Sequence, residues 1–257
     1  METMGYISEI KDAFTGIFET IEKTQSENLK KSCLMMKDSI ENGGFFYIYD
    51  RGHMLNTELI YRSGGAAFVR RFELTVPDGL LSGLNGSTEL MRKGHTEEEI
   101  QHSKEEFESQ YIAYMLVQNG IKKGDVLLIN SVSGRNRITN RFTQQCKKMG
   151  TKVIAISSLD TVRKNKDEKD SFINHADIVI DNCVLHGDAL FQVDGLEEKI
   201  VSGSGMAASF IGWCLVRGTL EELLKDGYAP SVYRSVNLDG GVEQNERANK
   251  HFAEFGY

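Results

Sequence analysis

Residues 124–160 read GDVLLINSVSGRNRITNRFTQQCKKMGTKVIAISSLD, and the order of their parts decides the fold. The run Val126-Leu127-Leu128-Ile129 is apolar throughout, as in a strand buried on both faces. Ser131-Val132-Ser133-Gly134 follows as a turn of small residues, opening a helical segment that ends at Gly150. Residues 152–156 then form a second apolar run, predicting a strand parallel to the first. Such a unit aims the loop's N–H groups, its hydroxyls and the positive end of the helix dipole at one point. That point suits a phosphate, so the loop predicts an anionic ligand.

Working outward, residues 10–42 place Phe14, Ile17, Phe18, Ile21, Leu29, Cys33, Met36 and Ile40 close to helical spacing, predicting a long helix or helix pair. Asn42-Gly43-Gly44 ends it, and residues 45–49 (FFYIY) read as a buried strand whose carboxyl end turns at Asp50-Arg51-Gly52-His53. Residues 54–61 take helical spacing and residues 66–72 make a short strand. Residues 77–95, rich in Gly, Ser and Asn, lack any period and read as a long loop. Thr96 and the acids Glu97, Glu98 and Glu99 open a helix that runs to Asn119. Past Leu159 a hydrophilic run is a solvated loop or the start of a surface helix. Residues 176–181 (ADIVID) make another strand, and residues 192–200 hold a short hairpin. The most apolar helix starts at Ser202-Gly203-Ser204-Gly205 and continues towards Leu224; a polar helix follows the Asp239-Gly240-Gly241 turn. The alternation predicts one three-layer, doubly wound α/β domain over residues 1–257, with a helical extension over about residues 1–42.

Net charge excludes some partners. At −7 the chain has no general field for nucleic acid or an anionic membrane, so an anion must be held locally. Cys33, Cys146, Cys183 and Cys214 lack metal-ligand spacing and read as reduced core residues. No stretch reaches the roughly 18 apolar residues that would span a bilayer, and cytoplasm is the expected location. No dinucleotide glycine fingerprint follows a strand, and no cofactor or metal is expected.

The chain resembles the sugar isomerase (SIS) phosphosugar-binding domains, in particular a stand-alone group related to phosphoheptose isomerase. The resemblance runs from about residue 18 to 252. It rests on residues 43–55 (GGFFYIYDRGHML), 58–65 (ELIYRSGG), 124–136 (GDVLLINSVSGRN), 150–159 (GTKVIAISSL), 176–182 (ADIVIDN) and 237–241 (NLDGG). It implies a five-stranded parallel sheet flanked by helices, assembly as a homodimer or homotetramer with sites near subunit contacts, and a sugar phosphate ligand. Carried onto these residues, it makes Ser131, Ser133, Gly134, Arg135 and Asn136 the phosphate loop, with Ser157 and Ser158 bordering the same switch point. Relatives usually carry a longer Gly-Ser-Gly-His-Ser-His type loop after the first strand. Here Asp50-Arg51-Gly52-His53 stands in its place, so Arg51 substitutes a charge for hydroxyls while Asp50 repels a phosphate.

Aldose–ketose isomerisation needs a base that moves a proton between neighbouring carbons through an enediol, and an acid at the carbonyl or ring oxygen. Glu58 and His53, one helical turn apart at the strand's carboxyl end, are the candidate pair, and Glu243 near the Asp239-Gly240-Gly241 turn is a third catalytic candidate. The competing expectations are a non-catalytic phosphosugar sensor or subunit, and a deaminase- or etherase-like enzyme of amino-sugar phosphates. Plain structural roles compete for the same residues: dipole compensation for Glu58, and helix capping for Ser202, Ser204 and Asp239.

Overall fold

The computed structural model describes residues 5–51, 55–74, 94–165 and 171–257. Five strands, β1 (Phe46–Asp50), β2 (Val69–Arg71), β3 (Val126–Asn130), β4 (Lys152–Ser157) and β5 (Ile178–Asp181), pair in the order β2-β1-β3-β4-β5. Every pairing is parallel, with Phe46 opposite Val126 and Asp50 opposite Asn130 between β1 and β3. The predicted three-layer α/β architecture is therefore present. All five positions of β1 and of β3 are buried, as a parallel sheet covered on both faces requires.

Strand alternation divides the core into two layers. Phe46, Ile48, Val126, Leu128, Ile154 and Ile156 face α1 (Gly5–Glu41) and the late helix Ser204–Lys225, where Ile21, Met36, Ile40, Ala207, Ile211 and Leu215 meet them. Tyr47, Tyr49, Leu127, Ile129, Val153 and Ala155 face the opposite layer, with Ile112, Leu116, Ile138, Phe142 and Cys146. Each fully buried Leu, Ile or Phe contributes roughly 1.5–3 kcal/mol of transfer free energy. α1 is one unbroken helix and a wall of this core.

Helices α2 (Leu55–Glu58), α3 (Glu97–Gln118), α4 (Arg137–Lys148), α5 (Leu159–Lys164), α6 (Ser204–Lys225) and α7 (Gly241–Phe255) complete the layers. Thr96 caps α3 as predicted: its Oγ1 accepts from Glu99 N at 3.1 Å, and Glu99 Oε2 accepts from Thr96 N at 2.8 Å. Asp125, fully buried just before β3, accepts from Phe45 N and Lys122 N and thereby ties the starts of β1 and β3. Burial pushes its carboxyl above the usual aspartate range against those two N–H contacts. A two-stranded hairpin, β6 (Ala189–Phe191) with β7 (Ile200–Ser202), is present, but its strands flank the stretch 192–200 in which it was expected, and residues 192–199 form its connection.

Three expectations change. The helix over residues 54–61 shrinks to α2, because Tyr61 takes a left-handed conformation (φ 53°). The strand over residues 66–72 shrinks to β2, because the backbone before it is engaged elsewhere. Gly64 N donates to Tyr233 O, Ala67 N to Ser231 O, and Tyr233 N to Gly65 O. Cys183 and Cys214 are half-buried, whereas Cys33 and Cys146 lie in the core. The long loop over residues 77–95 falls outside the described residues up to Lys93, as do residues 166–170 of the hydrophilic run. The part of that run before them is helical, in α5.

Close packing sets α2 in place. A Cβ on Gly212 of α6 would lie 2.4 Å from Leu59 Cδ1 and 2.9 Å from Leu55 Cδ2. Only glycine lets α6 approach the α2 turn so closely.

Candidate functional site

With strand order β2-β1-β3-β4-β5, the chain leaves β1 towards one side of the sheet and resumes at β3 on the other. The carboxyl ends of β1 and β3 are thus the topological switch point, where open α/β sheets place ligands. Asp50, Arg51, Asn130 and Ser131 meet there.

The turn after β3 is held from beneath. Ser131 N donates to Ile156 O, and Ser157 Oγ donates to Ser131 O at 2.9 Å and Val132 O at 3.1 Å. Ser158 Oγ donates to Val184 O at 2.6 Å and accepts from Thr161 N, capping α5. Ser157 and Ser158 are completely buried, so in this structure both hydroxyls brace the turn from below it. Asn136 caps α4 by accepting from Thr139 N at 3.0 Å. Gly134 is buried with φ +68°, and its carbonyl accepts from Ser171 Oγ at 3.1 Å. Ser131 is buried, Ser133 is half-buried, and Arg135 is exposed. Ser133 Oγ accepts at 3.5 Å from Arg135 N, so its own hydroxyl proton points elsewhere. The open groups of the turn are therefore Ser133 and Arg135, beside the α4 N-terminus.

At the end of β1, Asp50 is turned into the protein. Its Oδ1 accepts from Asn130 Nδ2 at 2.8 Å and its Oδ2 from Leu55 N at 2.8 Å, which caps α2. The expected repulsion of a phosphate by Asp50 is thus muted by two donors. Arg51 lies beyond it, half-buried, in a cleft of about 530 Å³ shared with Tyr49, Asp50, Asn56 and Arg71 to Leu74. His53 lies outside the described residues.

Glu58 does not line that cleft. It forms an ion pair with Arg62 Nη2 at 3.3 Å. Arg62 lines a second cleft, of about 460 Å³, with Tyr61, Tyr233, Arg234, Asn245 and Asn249 among its walls. Glu243 is exposed in the first turn of α7, two residues from Asn245, whose side chain bonds both the N–H and the carbonyl of Arg234. Ser202 and Ser204, expected above as helix caps, instead donate their hydroxyls to Asp188, at 2.5 and 2.9 Å.

One supporting residue was missed by the sequence reading. Glu108 of α3 is 1 % exposed and receives both terminal nitrogens of Arg137, the first residue of α4, with Arg141 Nη1 at 3.3 Å from its Oε2. This carboxylate pins the N-terminal end of α4 to α3. The signal in the sequence was two arginines four apart facing Glu105 and Glu108 three apart, but spacing does not show which carboxylate is buried. Glu108→Ala is expected to lower the unfolding free energy by about 2–3 kcal/mol, the lower part of the range for a broken buried pair, since both guanidiniums retain a route to water. Urea denaturation measures it, and a loss under about 1 kcal/mol would contradict the pinning role.

The SIS domain pattern matches residues 9–158. The chain belongs to the SIS domain family. A UPF0309 protein of Halalkalibacterium halodurans is 28% identical over 248 residues, covering 94% of this chain and 96% of that protein. One of Listeria monocytogenes is 27% identical over 241 residues, covering 92% of each. Among solved structures, the phosphoheptose isomerase of Neisseria gonorrhoeae superposes with a TM-score of 0.50 at 11% identity, covering 86% of this chain and 98% of that one. That likeness agrees with the SIS fold described above. Among the described residues, no helix is long and apolar enough to cross a membrane, and no group of three or more His, Cys, Asp or Glu is placed to hold a metal ion.

Proposed function

We propose that this SIS domain binds a sugar phosphate and interconverts its aldose and ketose forms through an enediol. The observation that carries the proposal is the Ser131-Val132-Ser133-Gly134 turn. It is braced by Ser157 and Ser171, and it presents Ser133 and Arg135 beside the N-terminus of α4 at the switch point. An anion there meets hydroxyl, guanidinium and helix dipole together. Arg51, across the switch point at the end of β1, adds a second cation. In the proposed reaction Glu58 takes the proton from the carbon beside the carbonyl and returns it to the neighbouring carbon. His53 serves the oxygen, with Glu243 entering from a neighbouring copy in a homodimer or homotetramer. The setting is cytoplasmic, and no cofactor takes part.

Thermal-shift measurements against sugar phosphates, amino-sugar phosphates and inorganic phosphate test the site. A ligand at 100 times its Kd stabilises the folded protein by about 2.7 kcal/mol. We expect at least one phosphosugar to raise Tm, and Ser133→Ala to reduce that rise to that of the buffer. If no phosphate compound shifts Tm at millimolar concentration, the phosphate reading fails.

A second reading, a phosphosugar sensor without turnover, is favoured by Glu58, which pairs with Arg62 and does not line the cleft at the ends of β1 and β2. Stabilisation by a sugar phosphate that is never converted would select it.

A further inference from the structure

The second cleft, between the loop after α2 and residues 233–236, has a rigid frame. Gly64 N donates to Tyr233 O at 2.8 Å, Tyr233 N to Gly65 O at 2.9 Å and Gly65 N to Arg62 O at 2.9 Å, which laces residues 62–65 to the chain ahead of α7. Asn245 of α7 spans the next residue, its Oδ1 accepting from Arg234 N at 2.8 Å and its Nδ2 donating to Arg234 O at 2.9 Å. Arg62 and Arg234 therefore project from backbone that is fixed on both sides of the cleft. Tyr61, left-handed at φ 53°, is held there against its own preference.

The walls carry a surplus of donors. Among the described residues, no aspartate or glutamate lines the cleft, although the chain's net charge is −7. Tyr233 Oη donates to Asn249 Oδ1 at 2.8 Å, so the amide nitrogen of Asn249 faces away from that bond with its protons to give. Ser235 Oγ accepts from Asn237 N at 3.3 Å and keeps its own proton. Two guanidiniums, an amide and a hydroxyl on one cleft call for an oxyanion.

The backbone decides which oxyanion. Phosphate seats are built from free N–H groups and a helix N-terminus, but the N–H groups of Gly64, Gly65, Tyr233 and Arg234 are all engaged by protein acceptors. Flat guanidiniums remain, and their paired N–H groups match the flat, two-oxygen edge of a carboxylate. Glu58 already shows the match, with its carboxylate 3.3 Å from Arg62 Nη2. At about 460 Å³ the cleft falls in the range of small-molecule sites, and the exposed Tyr61 and Val236 give an organic body apolar surface to lie against.

We infer that the second cleft binds a small organic acid, with its carboxylate between Arg62 and Arg234. The acid and Glu58 then share the Arg62 guanidinium, and each weakens the other's hold on it. This site is separate from the turn after β3 and does not depend on the phosphosugar reading.

Calorimetric titration with malonate at constant ionic strength tests it, with inorganic phosphate as the second probe. Wild-type protein should bind malonate at millimolar concentration, and Arg234→Gln should weaken that binding about tenfold or more, the loss of a charge-assisted hydrogen bond. Arg234 is exposed, so this variant should fold, and its Tm checks that it does. Ser133→Ala should leave the malonate Kd within about twofold of wild type, while Glu58→Gln should tighten it by up to about fivefold, the scale of so exposed an ion pair. Malonate that does not bind, or that binds Arg234→Gln as it binds the wild type, overturns the inference. Binding that vanishes in Ser133→Ala belongs to the turn after β3 and overturns it too. Inorganic phosphate bound as tightly as malonate, and with the same dependence on Arg234, would make the cleft a phosphate seat and sink the carboxylate assignment. Failure of the phosphosugar reading would change none of these results.

Discussion

Gly134→Ala is expected to lower the unfolding free energy by about 3 kcal/mol and to abolish the response to any phosphate ligand. Gly134 has φ +68°, where an L side chain costs roughly 1–2 kcal/mol by itself. Space is the larger obstacle. A Cβ there would lie 2.5 Å from Ser171 Oγ and 2.9 Å from Val162 Cγ2. Neither neighbour yields easily, because Ser171 is buried and donates to the Gly134 carbonyl, while Val162 is buried in α5. Relief must come from the turn itself, which would move Ser133 and the N–H groups leading into α4 off the point on which they converge. For a chain of this size a 3 kcal/mol loss lowers Tm by roughly 6–12 °C. Ser133→Ala is the control, since it should remove ligand binding with little change in Tm. A Gly134→Ala protein within 1 kcal/mol of wild type would show that the turn repacks freely, and the rigid phosphate cradle would have to be abandoned.

Much of this fold is legible in the chain because its strands are buried on both faces. A run such as Val126-Leu127-Leu128-Ile129 has no solvent face to encode, so it reads as a strand without alternation. The turn after it is equally plain, since small residues and glycine at that position have one use in a parallel unit. Thr96 with Glu99 announces α3 through local chemistry alone. What escapes the sequence depends on partners distant along the chain. Residues 64–67 look free to extend β2, but Ser231 and Tyr233 take their backbone groups. Ser157 and Ser158 have the right residue type and position for ligand contacts, yet carbonyls of Ser131, Val132 and Val184 already hold their hydroxyl protons. Asp50 reads as a charge facing the ligand, while its carboxylate caps α2 and orients Asn130. In each case composition places the group, and only tertiary geometry decides the direction of its hydrogen bonds.

Glu58→Gln is expected to lower turnover of the responding sugar phosphate about a thousandfold while leaving its Kd within a few-fold of wild type. The substitution keeps shape and hydrogen bonding but removes the capacity to accept a proton, and general base catalysis contributes about 10²–10⁴ in rate. Stability should hardly change. The Glu58 side chain is 32% exposed and its partner Arg62 55% exposed, and pairs so open to water are worth about 0–1 kcal/mol. A rate loss therefore reports chemistry, provided that Tm is unmoved. The pairing with Arg62 has a further consequence. Glu58 does not line the cleft at the ends of β1 and β2, so the substrate carbon must come within its reach from the switch point, either inside one chain or with a neighbouring copy closing the site. Glu58→Gln protein that turns over at the wild-type rate would move the base to another residue. Wild-type protein that binds a sugar phosphate and never converts it would make Glu58 a structural partner of Arg62, and the protein a sensor. The same assay run at several protein concentrations separates the two routes: if a neighbouring copy closes the site, specific activity falls on dilution as the assembly dissociates, and if Glu58 acts within its own chain it does not.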